Sequence, residues 1–159
     1  MENINKLKNK IDTKVMNFVL LSVVTGGIYP MMWLFLNQSK LTEEMRIEFV
    51  AKDYPLWLAI VTGFGWLLID VSYVVSDTET ILDHIATLLS VASAVMLIVW
   101  AFKAKLALQA YALNEFKFEL KMNPFYTFIF SIYYIVYCIN DMESELQKHN
   151  VIYRKKIAD

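Results

Sequence analysis

The sequence predicts an all-α integral membrane protein: a central transmembrane helical hairpin with two flanking segments that are kinked, re-entrant or additional spans. Three observations predict it. Hydrophobic residues make up 57% of the 159, against roughly 45–50% in a typical soluble chain. They gather in runs near 16–37, 55–75, 81–102 and 124–140. Leu56–Ile69 and Ile85–Phe102 contain no charged residue, so neither has the polar stripe with which a surface helix faces water. Every lysine and arginine lies outside the acidic joining segment Asp77–Asp83. A hydrocarbon core about 30 Å thick needs roughly 20 helical residues. Three runs reach that length, and 124–140 is marginal.

The whole chain, 1–159, reads as one helical membrane domain. Residues 1–15 form a basic lead-in helix with an apolar stripe at Ile4, Leu7, Ile11 and Val15. That stripe would lie at the bilayer interface, with Lys6, Lys10 and Lys14 against anionic headgroups. Solvated, topology-setting charges are the plainer reading. Fourteen mostly polar residues before the first apolar run, and no convincing small-residue cleavage site, argue against a cleavable signal peptide.

Segment 16–37 is interrupted by Gly26-Gly27 and Pro30. Paired glycines loosen the backbone and an internal proline removes an amide donor, so a kink or re-entrant break is expected. Backbone groups freed at membrane depth need partners; Thr25 and Tyr29 are the nearest. Within 38–54, Thr42 would cap an amphipathic helix opened by Glu43 and Glu44, and Pro55 would start the next one.

On 55–75, Ala59, Gly63, Trp66, Asp70 and Tyr73 share one side. On 81–102, Ala86, Ser90 and Ala94 form a small-residue seam to which the Gly63 side would dock, since small side chains let backbones approach. Good helix formers from Phe102 to Met122 extend this helix as an amphipathic stretch over 103–122, with Leu106, Leu113 and Leu120 packed and Lys105 hydrated. Segment 124–140 is rich in aromatics and has no internal breaker. Residues 141–159 form a polar tail carrying Arg154-Lys155-Lys156, a second set of candidate anionic-lipid contacts.

Charge placement selects the topology. Four full spans would divide the 15 basic residues almost evenly between the two sides. With only 55–75 and 81–102 crossing, and the outer segments entering and leaving on one face, all 15 fall on the cytoplasmic side. That arrangement obeys the positive-inside rule and puts both termini inside.

Thr25-Gly26-Gly27-Ile28-Tyr29-Pro30-Met31-Met32-Trp33, with Asn123-Pro124 and the aromatic run Ile132–Ile139, resembles a bacterial family of small multi-helix membrane proteins catalogued only as a domain of unknown function. The resemblance covers residues 13–142 at most, and Pro30 departs from its pattern. It implies the bacterial cytoplasmic (inner) membrane and assigns no catalytic residue.

Asp70 is the most informative ionisable group, because charge within a spanning helix is costly and usually partnered. With Thr62 and Tyr73 it forms a candidate partner or ion site; interface solvation is the structural alternative. Asp77, Glu79, Asp83 and His84 lack zinc-ligand spacing. Ser90 and Ser93 have no His–acid arrangement beside them, and Gly63-Phe64-Gly65 lacks the phosphate-loop pattern. No catalytic set, cofactor site or metal site is expected. A net charge of −1 gives no reason to expect nucleic acid as a partner. The expected activity is that of a membrane interaction protein, which binds a membrane partner or self-assembles in the lipid bilayer. The alternatives are a subunit of an oligomeric ion channel or transporter, and a membrane-shaping protein.

Overall fold

The computed structural model describes residues 4–75 and 81–158, with the side chains of all of these except Tyr73, Val75 and residues 153–158. Among the described residues there are six helices: α1 (Lys6–Ile11), α2 (Val15–Val24), α3 (Ile28–Met45), α4 (Tyr54–Val75), α5 (Ile81–Phe116) and α6 (Pro124–Ala158). No strand occurs among the described residues. Helices α4 and α5 are long and apolar enough to cross a membrane.

Three apolar excursions leave a common packed base. The first is the α2–α3 pair. Phe18 of α2 lies edge-on to both Tyr29 and Trp33 of α3, at 5.6 and 5.4 Å between ring centroids, so the two helices fold back on each other. The break falls at Gly26 and Gly27, whose φ angles of +59° and +90° an L side chain adopts only with strain. The Gly27 amide donates to the Ser22 carbonyl at 2.8 Å and the Gly26 amide to Val23 at 3.1 Å, the bond pair of a Schellman turn. Thr25 Oγ1 accepts the Tyr29 amide at 3.0 Å, so a side chain from the first helix caps the second. Pro30 sits buried in the first turn of α3, where a missing amide costs nothing. It therefore does not make the break.

The second excursion is the α4–α5 hairpin. The third is α6, whose helix is bent at Ser131 (φ +47°, ψ −119°). The bend is sharp: the Asn123 amide donates to the Tyr134 hydroxyl at 3.0 Å, although a straight helix would separate these residues by about 16 Å along its axis. A kinked or re-entrant segment over 124–140 is among the forms expected from the sequence, but no residue there marks where the bend falls. Serine carries no breaker signature; the bend is anchored by Ser131 Oγ donating to the Leu97 carbonyl at 3.3 Å.

The core lies where α1, α3, the second half of α5 and the long arm of α6 meet. Leu7, Trp33, Leu41, Trp100, Leu108, Ile135 and Met142 are all buried there. Two buried polar ties hold it. Trp33 Nε1 donates to Thr13 Oγ1 at 2.8 Å, and the Thr13 carbonyl accepts from Asn140 Nδ2 at 2.9 Å. Trp100 Nε1 donates to Gln38 Oε1 at 2.8 Å.

Three further readings are corrected. Helix α3 runs unbroken to Met45, so Thr42 caps nothing and Glu43 and Glu44 stand in a last turn, not a first. Helix α5 ends at Phe116; Phe118, Leu120 and Met122 are buried while Lys117, Glu119 and Lys121 are exposed, the period-two pattern of an extended segment. Gln109 Nε2 donates to the Leu120 carbonyl at 2.9 Å and ties that segment to α5. On α5 itself Leu106 and Leu113 are exposed, whereas Lys105 is buried, its Nζ over the Phe102 ring at 5.9 Å from the centroid.

Candidate membrane interface

Helices α4 and α5 meet along a seam of small and hydroxylated residues. From α4 it contains Leu58, Thr62, Gly65 and Ser72, and from α5 Ala86 and Ser90. A Cβ on Gly65 would stand 3.4 Å from Leu89 Cβ and 3.5 Å from Ser90 Oγ. The hydroxyls in the seam are satisfied locally: Thr62 Oγ1 donates to the Leu58 carbonyl at 2.8 Å and Ser90 Oγ to the Ala86 carbonyl at 2.9 Å. Nearer the turn, Ser72 Oγ donates to Asp83 Oδ1. At the opposite end Tyr54 hydroxyl donates to the Met96 carbonyl at 2.7 Å.

This seam corrects the docking face read from the sequence. Ala59, Gly63, Trp66 and Asp70 are exposed, and so is Ala94. The face in contact lies one residue, about 100°, around α4. The sequence reading gathered the acidic and aromatic residues with Gly63, but only Gly65 has its α-carbon against α5. Of the named seam residues, Ala86 and Ser90 hold their places.

The candidate ion site is not assembled in one chain. Thr62 faces the seam, Asp70 faces outward, and the Tyr73 side chain lies outside the described residues, as do Asp77 and Glu79 of the turn. The lysines expected at lipid headgroups divide. Lys6 pairs with Glu44 at 3.0 Å, and Lys10 pairs with Glu43 at 3.0 Å and Glu44 at 3.3 Å. Burial opposes charge on Glu44, but the hydrogen bonds from Lys6 and Lys10 outweigh it and hold the carboxyl below its usual range. The bond that Lys10 donates to Glu43 leads in holding the Lys10 ammonium above its own. The apolar stripe of α1 enters the core through Leu7 and Ile11 and does not lie open. Lys14 remains exposed, and the side chains of Arg154, Lys155 and Lys156 lie outside the described residues.

Most of the apolar surface is uncovered. Only 22% of the apolar window Tyr54–Ser72 is buried, and 17% of that in Ile81–Phe116. The exposed face continues over Val23, Val24, Ile28 and Phe35 of the α2–α3 pair and Phe125, Phe128 and Phe130 of α6. Soluble monomers seldom expose contiguous apolar patches beyond a few hundred Å². Lysines bracket each excursion: no lysine or arginine lies between Lys14 and Lys40, between Lys52 and Lys103, or between Lys121 and Lys148. Among the described residues no three His, Cys, Asp or Glu side chains group as metal ligands would. Comparison with known proteins returns no matching family model, no matching curated protein and no matching solved structure.

Proposed function

We propose that this chain is a membrane interaction protein whose hairpin α4–α5 crosses the bilayer and whose other two excursions enter it from the cytoplasmic side and return. One observation carries the reading: the two longest apolar helices are less than a quarter buried over their most apolar stretches. A core helix of a soluble protein would be mostly covered by its own chain, so here lipid or another helix must supply the cover. The folded-back α2–α3 pair closes with the amides of residues 25–29 all bonded to its own backbone or to Thr25 Oγ1, which lowers the cost of such a turn at membrane depth. In this arrangement every basic residue falls on one side, in the sense of the positive-inside rule. A bacterial inner membrane, with both termini in the cytoplasm, is the setting this favours.

Two observations favour binding over conduction. Thr62 turns inward while Asp70 turns outward, so they do not line one path, and the hairpin seam is closed by direct helix contact. The test has two parts. Alkaline carbonate should fail to extract the protein, and cysteines at positions 52 and 117 should both be labelled only from the cytoplasmic side. Extraction into the soluble fraction, or labelling of both positions from the opposite side, would reject the arrangement. Affinity purification in a mild detergent should then return a complex larger than one chain.

A further inference from the structure

We infer that two copies of this chain pair through their hairpins, α4 of one against α5 of the other, with Asp70 of each copy bonded to His84 of the second. The inference rests on the membrane reading above and names the partner. Asp70 and His84 are exposed, and among the described residues neither makes a hydrogen bond or ion pair. A carboxylate held against hydrocarbon is costly, and such groups find partners. Between Lys52 and Lys103, His84 is the sole side chain of this sequence able to carry positive charge. Its imidazole, neutral or protonated, has an N–H to donate.

The register of the hairpin makes the match specific. Ser72 lies level with Asp83, and Gly65 with Ser90. By that register Asp70 lies level with Ile85, Gly63 with Ala92 and Ala59 with Met96. One residue on, about 1.5 Å in depth, stand His84, Val91 and Val95. Both triplets have spacings of seven and four, so each occupies one helix stripe, and all six residues are exposed. Two copies standing the same way in the bilayer set α4 of one antiparallel to α5 of the other, so the register is kept. Asp70 then meets His84, while the aliphatic side chains of Val91 and Val95 meet the small residues Gly63 and Ala59. Gly63 already floors a notch of about 220 Å³, walled by Ile60, Phe64 and Leu67.

Disulfide trapping in native membranes tests the pairing, in a background carrying Cys138→Ser. Differently tagged copies bearing Asp70→Cys and His84→Cys should cross-link to each other on oxidation. Val71→Cys, at the same depth but about 100° around the helix, should not cross-link to His84→Cys. Gly63→Ile should cut the specific cross-link roughly tenfold or more, the scale of a lost close helix contact. A Cβ at Gly63 meets nothing within 4 Å of its own chain, so that variant should keep its helix content and its resistance to carbonate. Equal cross-linking from positions 70 and 71, or an unchanged yield with Gly63→Ile, would overturn the inference. So would a different protein presenting a basic residue to Asp70. Carbonate extraction would sink the membrane reading itself, whereas an embedded chain that never cross-links sinks the pairing alone.

Discussion

Gly65 faces Ser90 so closely that a methyl group would just fit, 3.5 Å from Ser90 Oγ and 3.4 Å from Leu89 Cβ. Two residues away, Gly63 faces nothing in its own chain. The two glycines therefore make opposite demands on substitution. Gly65→Ala should be accepted, whereas Gly65→Leu should wedge the hairpin apart and cost about 1–3 kcal/mol, the range for overpacked interiors. Reversible unfolding in detergent, compared with Gly63→Leu, checks this. Equal destabilisation at both positions would contradict the seam described above.

The turn between α2 and α3 depends on two left-handed residues. Gly26→Ala and Gly27→Ala should each cost roughly 1–2 kcal/mol, the penalty for a Cβ in that region. Because Cβ space is open at both, the loss comes from the backbone alone. Asparagine, which tolerates this conformation better, should recover part of it. Thermal unfolding of the alanine and asparagine variants measures the difference.

At the base, Trp33→Phe removes the donor that Thr13 Oγ1 accepts while keeping most of the aromatic volume that packs on Phe18. A loss of about 1 kcal/mol is expected for the bond, with faster proteolytic nicking before Val15. Thr13→Val should lose more, because Thr13 Oγ1 also donates to the Ile11 carbonyl at 2.8 Å, and the double variant should lose less than the sum of the two, since the Trp33 bond is common to both. An additive double variant would show that the two residues act separately.

Acid should loosen α1 from α3. Glu44 has its carboxyl held below 4.5, so its contribution is present above that ordinary value and is lost as pH falls through the depressed one. The Lys10 ammonium is held above 10.5; its contribution is intact below that value and fades only as pH rises past it. The clamp is thus whole at neutral pH and opens on the acid side. Amide protection in Leu7–Ile11, taken relative to the intrinsic exchange rate at each pH, should fall between pH 7 and below 4, and Glu44→Gln should remove most of that pH dependence.

Much of this fold can be read from residue patterns. The two spanning-length helices follow from charge-free runs, and the break in 16–37 follows from Gly26-Gly27. The facing of α4 could not be read in the same way. Its buried stripe, Leu58, Thr62, Gly65 and Ser72, is no more apolar than the exposed stripe Ala59, Gly63 and Trp66, because a helix in an apolar setting has no wet side to mark the other. The end of α5 at Phe116 departs from the helix expected through 122: good helix formers masked the alternation of Phe116, Phe118, Leu120 and Met122 with charged residues, which is the mark of an extended chain. Ser131 carries no such mark. Its positive φ is imposed by the contacts on either side, Tyr134 with Asn123 and Ser131 with Leu97. Lys6 and Lys10 looked like headgroup contacts because their partners Glu43 and Glu44 are more than thirty residues distant in sequence.

Helix α5 runs without interruption from Ile81 to Phe116, about 54 Å at 1.5 Å per residue, while α4 spans about 33 Å. Roughly 20 Å of α5 therefore projects past the foot of its neighbour, with α6 seated along it. A stiff shaft of that kind converts inclination at one end into sideways travel at the other. In a bilayer, lipids of different acyl length, by altering how steeply the shaft leans, would swing the long arm of α6 through several ångströms without breaking a single contact in the base.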